Sequence, residues 1–275
     1  MYTRGVVRLL LGILALGTGL QPVRVEAQEN PSARLPTIFQ ARLGETDART
    51  PEISTEELMT LLVSGSVLLL DTRPHLEWAI SHIPGAKNVA PKPGMRMSQY
   101  TSDVAEVERL VAGERTRPLV LYCNGPFCGK SKRVSDDLVA AGYTNVRRYQ
   151  LGAPVWRALG GVMVTELDGV RHVLEKDGTA VFIDAREPAE FTKESLPGAR
   201  NLPRSKVLPG KDVGEVRVAK DDGRLPMEDH NTRIVVFGQD GEQARIVAEA
   251  IAREAFHNVS YFAGTFDMIQ GLMRR

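Results

Sequence analysis

Two cysteines, Cys123 and Cys128, lie five positions apart in one glycine-containing segment, and they are the only cysteines among the 275 residues. An apolar run at 119–122 predicts a short buried strand before them, and the apolar spacing at 130–141 predicts a helix after them. Backbone N–H groups converge in a strand-to-helix turn, and the helix N-terminus adds positive potential there. Such a turn lowers the pKa of a thiol and binds an anion. The segment therefore predicts an anion-binding loop with a cysteine nucleophile.

Two less reactive interpretations of the same residues remain open. Cys123 and Cys128 could form a structural disulfide, or both could be inert buried thiols that act as small apolar residues. A metal site is disfavoured because two sulfurs without a nearby histidine or a third cysteine do not complete a tetrahedral ligand set. The sequence predicts neither a metal nor a cofactor.

The elements that must position this loop occur twice in the chain. The pattern of residues 67–89, an apolar run followed by Asp-x-Arg and then a Pro-Gly-Ala-x-Asn turn, returns at 181–202. Downstream, residues 119–123 correspond to 234–238, and in each copy a glycine-containing turn, an amphipathic stretch and an aromatic strand follow. The chain is therefore predicted to contain two copies of one structural unit.

Each copy alternates short apolar strands with helical stretches, which predicts an α/β fold with a mainly parallel sheet flanked by helices. In such sheets ligands bind at the carboxyl ends of the strands, where the Cys loop falls. We predict a first domain at 52–161 that carries the loop, a second domain at 162–275 without cysteine, and an extended leader at 28–51. The polar stretch 203–232 is predicted to be a surface excursion of the second domain.

The N-terminus has the features of a signal peptide at residues 1–27. Arg4 and Arg8 precede an uncharged apolar run at 9–20, and small residues at the two positions that signal peptidase reads predict cleavage after Ala27. The run is too short to span a bilayer comfortably. The mature protein is therefore expected to begin at Gln28 and to be periplasmic or secreted, without stable membrane association after cleavage.

Charge is nearly balanced along the chain. There are 35 Lys and Arg against 34 Asp and Glu; the first 27 residues hold three of these Arg and one of these Glu, so the remainder has 32 basic and 33 acidic residues and a net charge of −1. This balance disfavours a nucleic-acid partner. In an oxidising compartment the two cysteines would be either paired or kept reduced for chemistry by an external donor.

Taken together, these motifs resemble the rhodanese family. The resemblance is carried by the Asp-x-Arg after a buried strand, the His-Ile-Pro-Gly-Ala-x-Asn turn at 82–88, the Tyr-Cys loop, and the Gly-x-x-x-Trp element at 152–156. It covers essentially the whole chain after the leader and implies two tandem rhodanese-like domains. It also implies a sulfurtransferase that moves sulfane sulfur from thiosulfate or a related anion, through a cysteine persulfide, to a thiophilic acceptor such as cyanide, a thiol or a thioredoxin-like protein.

The resemblance also assigns roles to individual residues. Cys123 corresponds to the nucleophile, and Cys128 is a candidate resolving thiol or an alternative nucleophile. The anion cradle would be formed by the loop that follows, at Asn124, Gly125, Phe127, Gly129 and Lys130. Lys130 would either face the substrate anion or be a solvated residue of the first helical turn. Structural rather than catalytic roles are expected for Asp71, Arg73, His82 and Trp156.

Two departures from the family pattern keep other functions open. The loop is longer than the common rhodanese loop and contains the additional Cys128; longer loops occur in the related phosphatase and arsenate-reductase branch, but those usually offer an Arg that is absent here. The alternatives are a thiol redox sensor or sulfur-binding module without turnover, and an oxyanion (arsenate) reductase or phosphatase. The second departure is the loop at 238–243, which has no cysteine, and whose Asp240 and Glu242 would repel an anion. The second domain is therefore expected to be catalytically silent.

Overall fold

Two parallel β-sheets form the framework of the molecule. The computed structural model describes residues 37–46, 48–96 and 102–274. The first sheet contains β1 (Leu68–Asp71), β2 (Lys87–Asn88), β3 (Leu119–Tyr122) and β4 (Val146–Tyr149). The second contains β5 (Met163–Thr165), β6 (Val181–Asp184), β7 (Arg200–Asn201), β8 (Ile234–Phe237) and β9 (Val259–Phe262).

Helices connect these strands and cover both sheets. Those of the first half are α1 (Thr55–Ser64), α2 (His75–Ile80), α3 (Asp103–Leu110), α4 (Gly129–Ala140) and α5 (Gly152–Ala158). Those of the second half are α6 (Leu167–Lys176), α7 (Pro188–Lys193), α8 (Gly214–Asp221), α9 (Gly241–Ala252) and α10 (Phe266–Met273). Short 3₁₀ helices lie at Ile38–Gln40 and Arg204–Lys206.

The internal repeat is visible in the order of the strands. The first sheet runs β2-β1-β3-β4 and the second β5-β9-β8-β6-β7, and every strand pair is parallel. Beside β4, residues 51–53 take the place that β5 occupies beside β9: Ile53 N–H donates to Arg148 O at 2.8 Å, and Arg148 N–H donates to Pro51 O at 2.9 Å. The predicted α/β fold of two similar parallel units is confirmed.

Strand β3 is buried on both faces, as its uninterrupted apolar sequence requires. Leu119 and Leu121 pack with Val134 and Leu138 of α4, whereas Val120 and Tyr122 belong to the separate core on the opposite face of the sheet. Side chains alternate between the two faces of a strand, so one short strand supports two cores. The chain segment that leaves β3 is thereby held at a fixed point in the sheet.

Residues 203–232 are not only a surface excursion. Apolar residues of this segment are buried in the core of the second half, namely Val207, Val216, Ala219 and Leu225. Val216 and Ala219 lie three positions apart on α8, which places them on one face of the helix. The predicted surface excursion is confirmed for most of the stretch, which is exposed or partly exposed. The prediction missed the buried face of the short amphipathic helix α8, because charged residues outnumber apolar ones in its sequence.

The two halves share backbone hydrogen bonds. His82 N–H donates to Val164 O at 2.9 Å, Val164 N–H donates to His82 O at 2.8 Å, and Glu166 N–H donates to Ala79 O at 2.8 Å. Helix α6 approaches α2 so closely that a Cβ placed on Gly169 would lie 2.0 Å from the carbonyl oxygen of Ala79. The described residues from 37 onward accordingly belong to one compact unit.

The N-terminal predictions fall mostly beyond this part of the chain. The signal peptide at 1–27 and the first part of the leader lie outside the described residues. Among the helices that are described, none combines the length and apolar character needed to cross a bilayer. The described residues also include no group of three or more His, Cys, Asp or Glu side chains placed to hold a metal ion.

Candidate active site at the cysteine loop

Cys123 lies at the carboxyl end of β3, which is a central strand of the first sheet. In the sheet register, Tyr122 is paired with Asp71 on one side and with Tyr149 on the other. The residues that follow these strands therefore meet at one edge. Six residues after Cys123, helix α4 begins at Gly129, with Cys128 as its N-cap residue. The predicted strand, turn and helix are confirmed.

The two cysteines are joined by a disulfide, with their Cα atoms 6.1 Å apart. Cys123 is 4% exposed, whereas Cys128 is partly exposed. Of the interpretations that the sequence left open, the structure shows the paired state of this loop. A thiolate that enters from solvent would reach the sulfur of Cys128 more readily than that of Cys123.

Tight backbone contacts shape the first part of the loop. Ala153 N–H donates to Cys123 O at 3.1 Å, and Cys128 N–H donates to Gly125 O at 3.0 Å. Gly125 has φ +112° and Gly152 has φ +68°, values that favour glycine. A Cβ on Gly152 would lie 2.4 Å from the carbonyl oxygen of Cys123. The start of α5 therefore fixes the path of the chain at the cysteine, and only glycine allows this approach.

The side chains of the predicted cradle face different surroundings. Asn124 is exposed and its Nδ2 donates to Glu77 Oε2 of α2 at 2.5 Å. Phe127 is fully exposed at the loop tip. Lys130 Nζ lies 3.8 Å from Asp103 Oδ2 at the start of α3. Gly129 and Lys130 are the first residues of α4, where backbone N–H groups lack intrahelical acceptors. What this loop can offer an anion is therefore its main-chain N–H groups and the lysine.

Gln150 and Arg148 were not singled out from the sequence, yet both are buried against the loop. Gln150 Nε2 donates to Pro126 O at 3.0 Å and to Cys128 O at 3.4 Å. Arg148 is fully buried, and its Nη1 donates to Gln150 Oε1 at 2.7 Å. The available signal was the pair of arginines within the predicted strand Val-Arg-Arg-Tyr. Neighbouring residues of a strand face opposite sides, so in a sheet covered on both faces a buried arginine must find partners.

Asp71 and Arg73 form a buried ion pair, as predicted. Arg73 donates to Asp71 from its backbone N–H at 2.9 Å and from Nη2 at 2.5 Å, and Tyr122 O–H donates to the same carboxylate at 2.5 Å. Burial alone would lower the pKa of Arg73, but the hydrogen bonds and charge of Asp71 outweigh it and raise that pKa. Burial and the charge of Asp71 raise the pKa of Tyr122. This cluster is structural, and it ties β1 to β3 just below the Cys loop.

His82 and Trp156 also have the structural roles predicted for them. The ring of His82 stacks on Trp78 at a centroid distance of 4.6 Å, and its Nδ1 lies 2.9 Å from Trp78 O. Trp156 is buried in the first-half core and its Nε1–H donates to Val162 O at 3.1 Å. Trp78 and His82 also line a cleft of about 860 Å³ between the halves, and neither cysteine is among its lining residues.

His82 should make the protein less stable in mild acid. Burial lowers its pKa to about 4 from an unperturbed 6.5, so its ring is neutral at pH 7 although Glu166 lies 3.7 Å away. The unfolded chain then binds the extra proton between these two values. The neutral ring of His82 contributes fully to the free energy of unfolding above pH 6.5. This contribution declines by roughly 3 kcal/mol as the pH falls toward 4. Urea unfolding of the wild type and of His82→Asn, measured from pH 7 to 4, gives the two unfolding free energies as a function of pH. The same pH dependence in both proteins would contradict this prediction.

Comparison of the sequence with protein-family models identifies the family of both halves. The model of the rhodanese-like domain matches the chain twice, at residues 54–159 and 169–271. The chain belongs to the rhodanese-like domain family. Its tandem arrangement, inferred above from the internal repeat, is confirmed by these two matches.

Individual relatives are more distant or match only in part. A curated relative, the HTH-type transcriptional regulator Rv0324 of Mycobacterium tuberculosis, is 34% identical over 124 residues, which are 44% of this chain and 47% of the regulator. The chain thus spans about half the length of that relative. Among solved structures, the 3-mercaptopyruvate sulfotransferase SseA of Escherichia coli is 20% identical, covers 78% of this chain and 98% of its own, and has a TM-score of 0.34. Thiosulfate sulfurtransferase of Pseudomonas aeruginosa is 19% identical, with 80% and 42% covered and a TM-score of 0.33.

The second rhodanese-like domain has a loop that is closed from within. Gly238 follows β8 as Cys123 follows β3. The side chain of Gln243 bends back so that its Oε1 accepts a hydrogen bond from Gln239 N–H at 2.7 Å, and Asp240 Oδ1 accepts one from Gln243 N–H at 2.8 Å. The chain's own oxygens therefore occupy two of the main-chain donors that an anion at this loop could use.

Introducing a cysteine should not activate this second loop. A Cβ on residue 238 would lie 2.7 Å from Gln243 Oε1, and the carboxylates of Asp240 and Glu242 remain nearby in sequence. We expect Gly238→Cys, in a chain that also carries Cys123→Ser and Cys128→Ser, to take up no sulfur from thiosulfate. Mass spectrometry of the intact protein checks this, with the wild type as the positive control. A sulfur adduct on residue 238 would show that a cysteine alone is sufficient.

Proposed function

We propose that the protein is a rhodanese-type sulfurtransferase in which Cys123 of the first domain carries the sulfur. The observation that supports this most is the position of Cys123, at the end of a central parallel strand and in a loop that leads into the N-terminus of α4. The main-chain donors of such a loop stabilise both a thiolate and an anionic persulfide.

The reaction begins with the Cys123 thiolate. It attacks the outer sulfur of thiosulfate or a related anion, a new sulfur–sulfur bond forms, and the original bond breaks with its electron pair going to the leaving sulfite. A thiophilic acceptor, such as cyanide or a thiolate, then attacks the outer sulfur of the persulfide. Cys123 leaves as a thiolate, so the enzyme returns to its starting state without net oxidation.

The disulfide must be reduced before this cycle starts. A dithiol reductant attacks the more accessible sulfur of Cys128 and expels the Cys123 thiolate into the loop. The second thiol of the reductant then releases Cys128, and the reductant becomes a disulfide. A thioredoxin-like protein has this chemistry, and the small sulfur anion and a thiol acceptor are the other partners that we propose.

A donor panel tests the proposed function. The reduced protein is assayed for transfer of sulfur to cyanide from thiosulfate and from other sulfane-sulfur anions, with the oxidised protein as the matched control. We expect turnover with at least one donor after reduction, and little turnover in the disulfide form. Absence of transfer from every donor to the reduced protein would refute the proposal.

A second candidate function is favoured by the disulfide itself. A thiol redox sensor, or a sulfur-binding module without turnover, would use the interconversion of Cys123 and Cys128 between dithiol and disulfide as its output. The same donor panel separates the two functions, because a sensor would change its oxidation state without transferring sulfur repeatedly.

We also propose that the protein is exported. The proposal rests on the charged start, the short apolar run and the small residues that end at Ala27. We expect N-terminal sequencing of native protein from the periplasmic or secreted fraction to begin at Gln28. Recovery of a cytosolic chain that starts at Met1 would contradict both the cleavage and the oxidising surroundings.

A further inference from the structure

The side chain of Gln150 connects the two ends of the Cys loop tip to the sheet. It follows β4 directly, is buried, and donates from Nε2 to the carbonyl oxygens of Pro126 and Cys128 at 3.0 and 3.4 Å. Its Oε1 accepts from Arg148 Nη1 at 2.7 Å and from Ser131 Oγ at 3.4 Å. All four bonds need the amide of a glutamine, with its donor and acceptor ends in this orientation.

These bonds determine where the loop N–H groups point. In a planar trans peptide the C=O and the N–H point in opposite directions. The bond from Gln150 to Pro126 O therefore turns the N–H of Phe127 away from Gln150, and the bond to Cys128 O does the same for the N–H of Gly129. In the same way, the bond from Ala153 N–H to Cys123 O orients the N–H of Asn124. Three main-chain donors of the predicted cradle are thus oriented by hydrogen bonds to the carbonyl oxygen of their own peptide group.

Arg148 in turn fixes Gln150. Its guanidinium is fully buried and contacts Thr50 Oγ1 at 2.9 Å, Glu45 Oε2 at 3.0 Å and Glu52 Oε1 at 3.4 Å. Burial would raise the pKa of Glu45, but Arg148 and Lys132 outweigh it and lower that pKa, so the carboxylate stays ionised. The planar arginine is therefore held by the chain segment before α1, and an N–H of its Nη1 is directed at Gln150.

The second domain provides an internal comparison. After β9, the position equivalent to Gln150 is Ala263, which has no side-chain amide. There the loop is held by the helix that follows it, because Gln243 Oε1 of α9 accepts a hydrogen bond from Gln239 N–H at 2.7 Å. In the domain with a cysteine, the side chain of Gln150 thus binds the loop through two carbonyl oxygens, whereas in the domain without one the side chain of Gln243 takes up a loop N–H.

We propose that Gln150, held by Arg148, is the positioning residue that orients the loop N–H groups toward stabilising a thiolate or persulfide on Cys123. The proposal deepens the sulfurtransferase function proposed above and rests on the same loop. It places the determinant of thiol reactivity at the carboxyl end of β4 and in the segment before α1, outside the Cys loop.

The test measures the pKa of the Cys123 thiol directly. Reduced protein in a Cys128→Ser background is alkylated with iodoacetamide over a pH series, with and without Gln150→Met. We expect the thiol pKa to rise by about one unit in the Gln150→Met protein, with a fall of about tenfold in kcat/KM for sulfur transfer. Gln150→Glu keeps the shape, loses the two donated bonds and adds a carboxylate near the thiol. Both changes should raise the thiol pKa, so Gln150→Met is the variant that isolates the lost bonds.

Tyr149→Phe is the matched control. It removes the buried hydrogen bond between Tyr149 and Thr55, 2.9 Å long, at the residue before Gln150, and it leaves the bonds from Gln150 to the loop in place. We expect it to lower the melting temperature and leave the thiol pKa unchanged. An unchanged thiol pKa in both Gln150 variants would overturn the positioning role. Alkylation needs no sulfur donor, so a wild type that transfers no sulfur would refute the proposed function while leaving this result interpretable.

Discussion

Cys123→Ser is expected to reduce sulfur transfer by about 10³-fold or more, because the hydroxyl cannot carry a sulfane sulfur and Cys128, the other thiol of the loop, is expected to resolve the persulfide and not to form it. The substitution is nearly isosteric at a buried strand end. Its effect on the fold should therefore be limited to loss of the disulfide. Steady-state assays of the reduced proteins and their unfolding curves together separate loss of chemistry from loss of structure.

Cys128→Ser is the matched control for this substitution. It removes the same disulfide, so the unfolding free energies of the two variants should agree within about 1 kcal/mol. We expect the reduced Cys128→Ser protein to retain transfer at a lowered or altered rate, because we propose that Cys128 resolves or protects the persulfide and does not form it. Retention of activity by a folded Cys123→Ser protein would contradict the assignment of the nucleophile. Equal and complete loss in both variants would show that the two thiols act as one unit.

Asp71→Asn is expected to destabilise the protein by about 3–5 kcal/mol, since it leaves the guanidinium of Arg73 buried without a counter-charge. Arg73 is almost fully buried, and its guanidinium also donates to Ser81 O at 2.6 Å and lies 5.6 Å from the centroid of the Tyr122 ring. The carboxylate also accepts from Tyr122 O–H at 2.5 Å, which joins β1 to β3 beneath the Cys loop. Urea unfolding at pH 7 measures the change.

Two further aspartates serve as controls for this effect. Asp184 pairs with Arg186 in the same way in the second domain, with Nη2 at 2.6 Å from Oδ2, so Asp184→Asn should be comparably destabilising. Asp168 pairs with Arg171 at 3.1 Å on the surface of α6, and Asp168→Asn should cost less than about 1 kcal/mol. Similar small losses for all three would show that burial does not determine the strength of these pairs.

The sequence was sufficient for the architecture because the informative patterns are local. The apolar run at 119–122 predicts a strand buried on both faces, and the repeated Asp-x-Arg and Pro-Gly-Ala-x-Asn motifs predict two copies of one unit. The structure has both, with Cys123 and Gly238 at equivalent strand ends. Motifs of this kind report short-range backbone requirements, which tertiary context rarely overrides.

What surrounds the cysteine was not predictable in the same way. Gln150 reaches the loop from 22 residues downstream of Cys128, and Arg148 meets Glu45 across 103 residues. Such contacts depend on which strands are neighbours, and periodicity within one segment does not report that. The sequence left the pairing of the cysteines open for a related reason, because a separation of five positions permits a disulfide without requiring one. The closed loop of the second domain depends on the rotamer of Gln243.

Persulfide mapping tests the central claim most directly. The reduced protein is treated with thiosulfate, unreacted thiols are blocked, and peptides that span the first and second loops are analysed by mass spectrometry. The account predicts one added sulfur atom on Cys123 that is lost again when cyanide or a thiol acceptor is supplied. Formation of only the Cys123–Cys128 disulfide, or a sulfur carried by Cys128 alone, would contradict it.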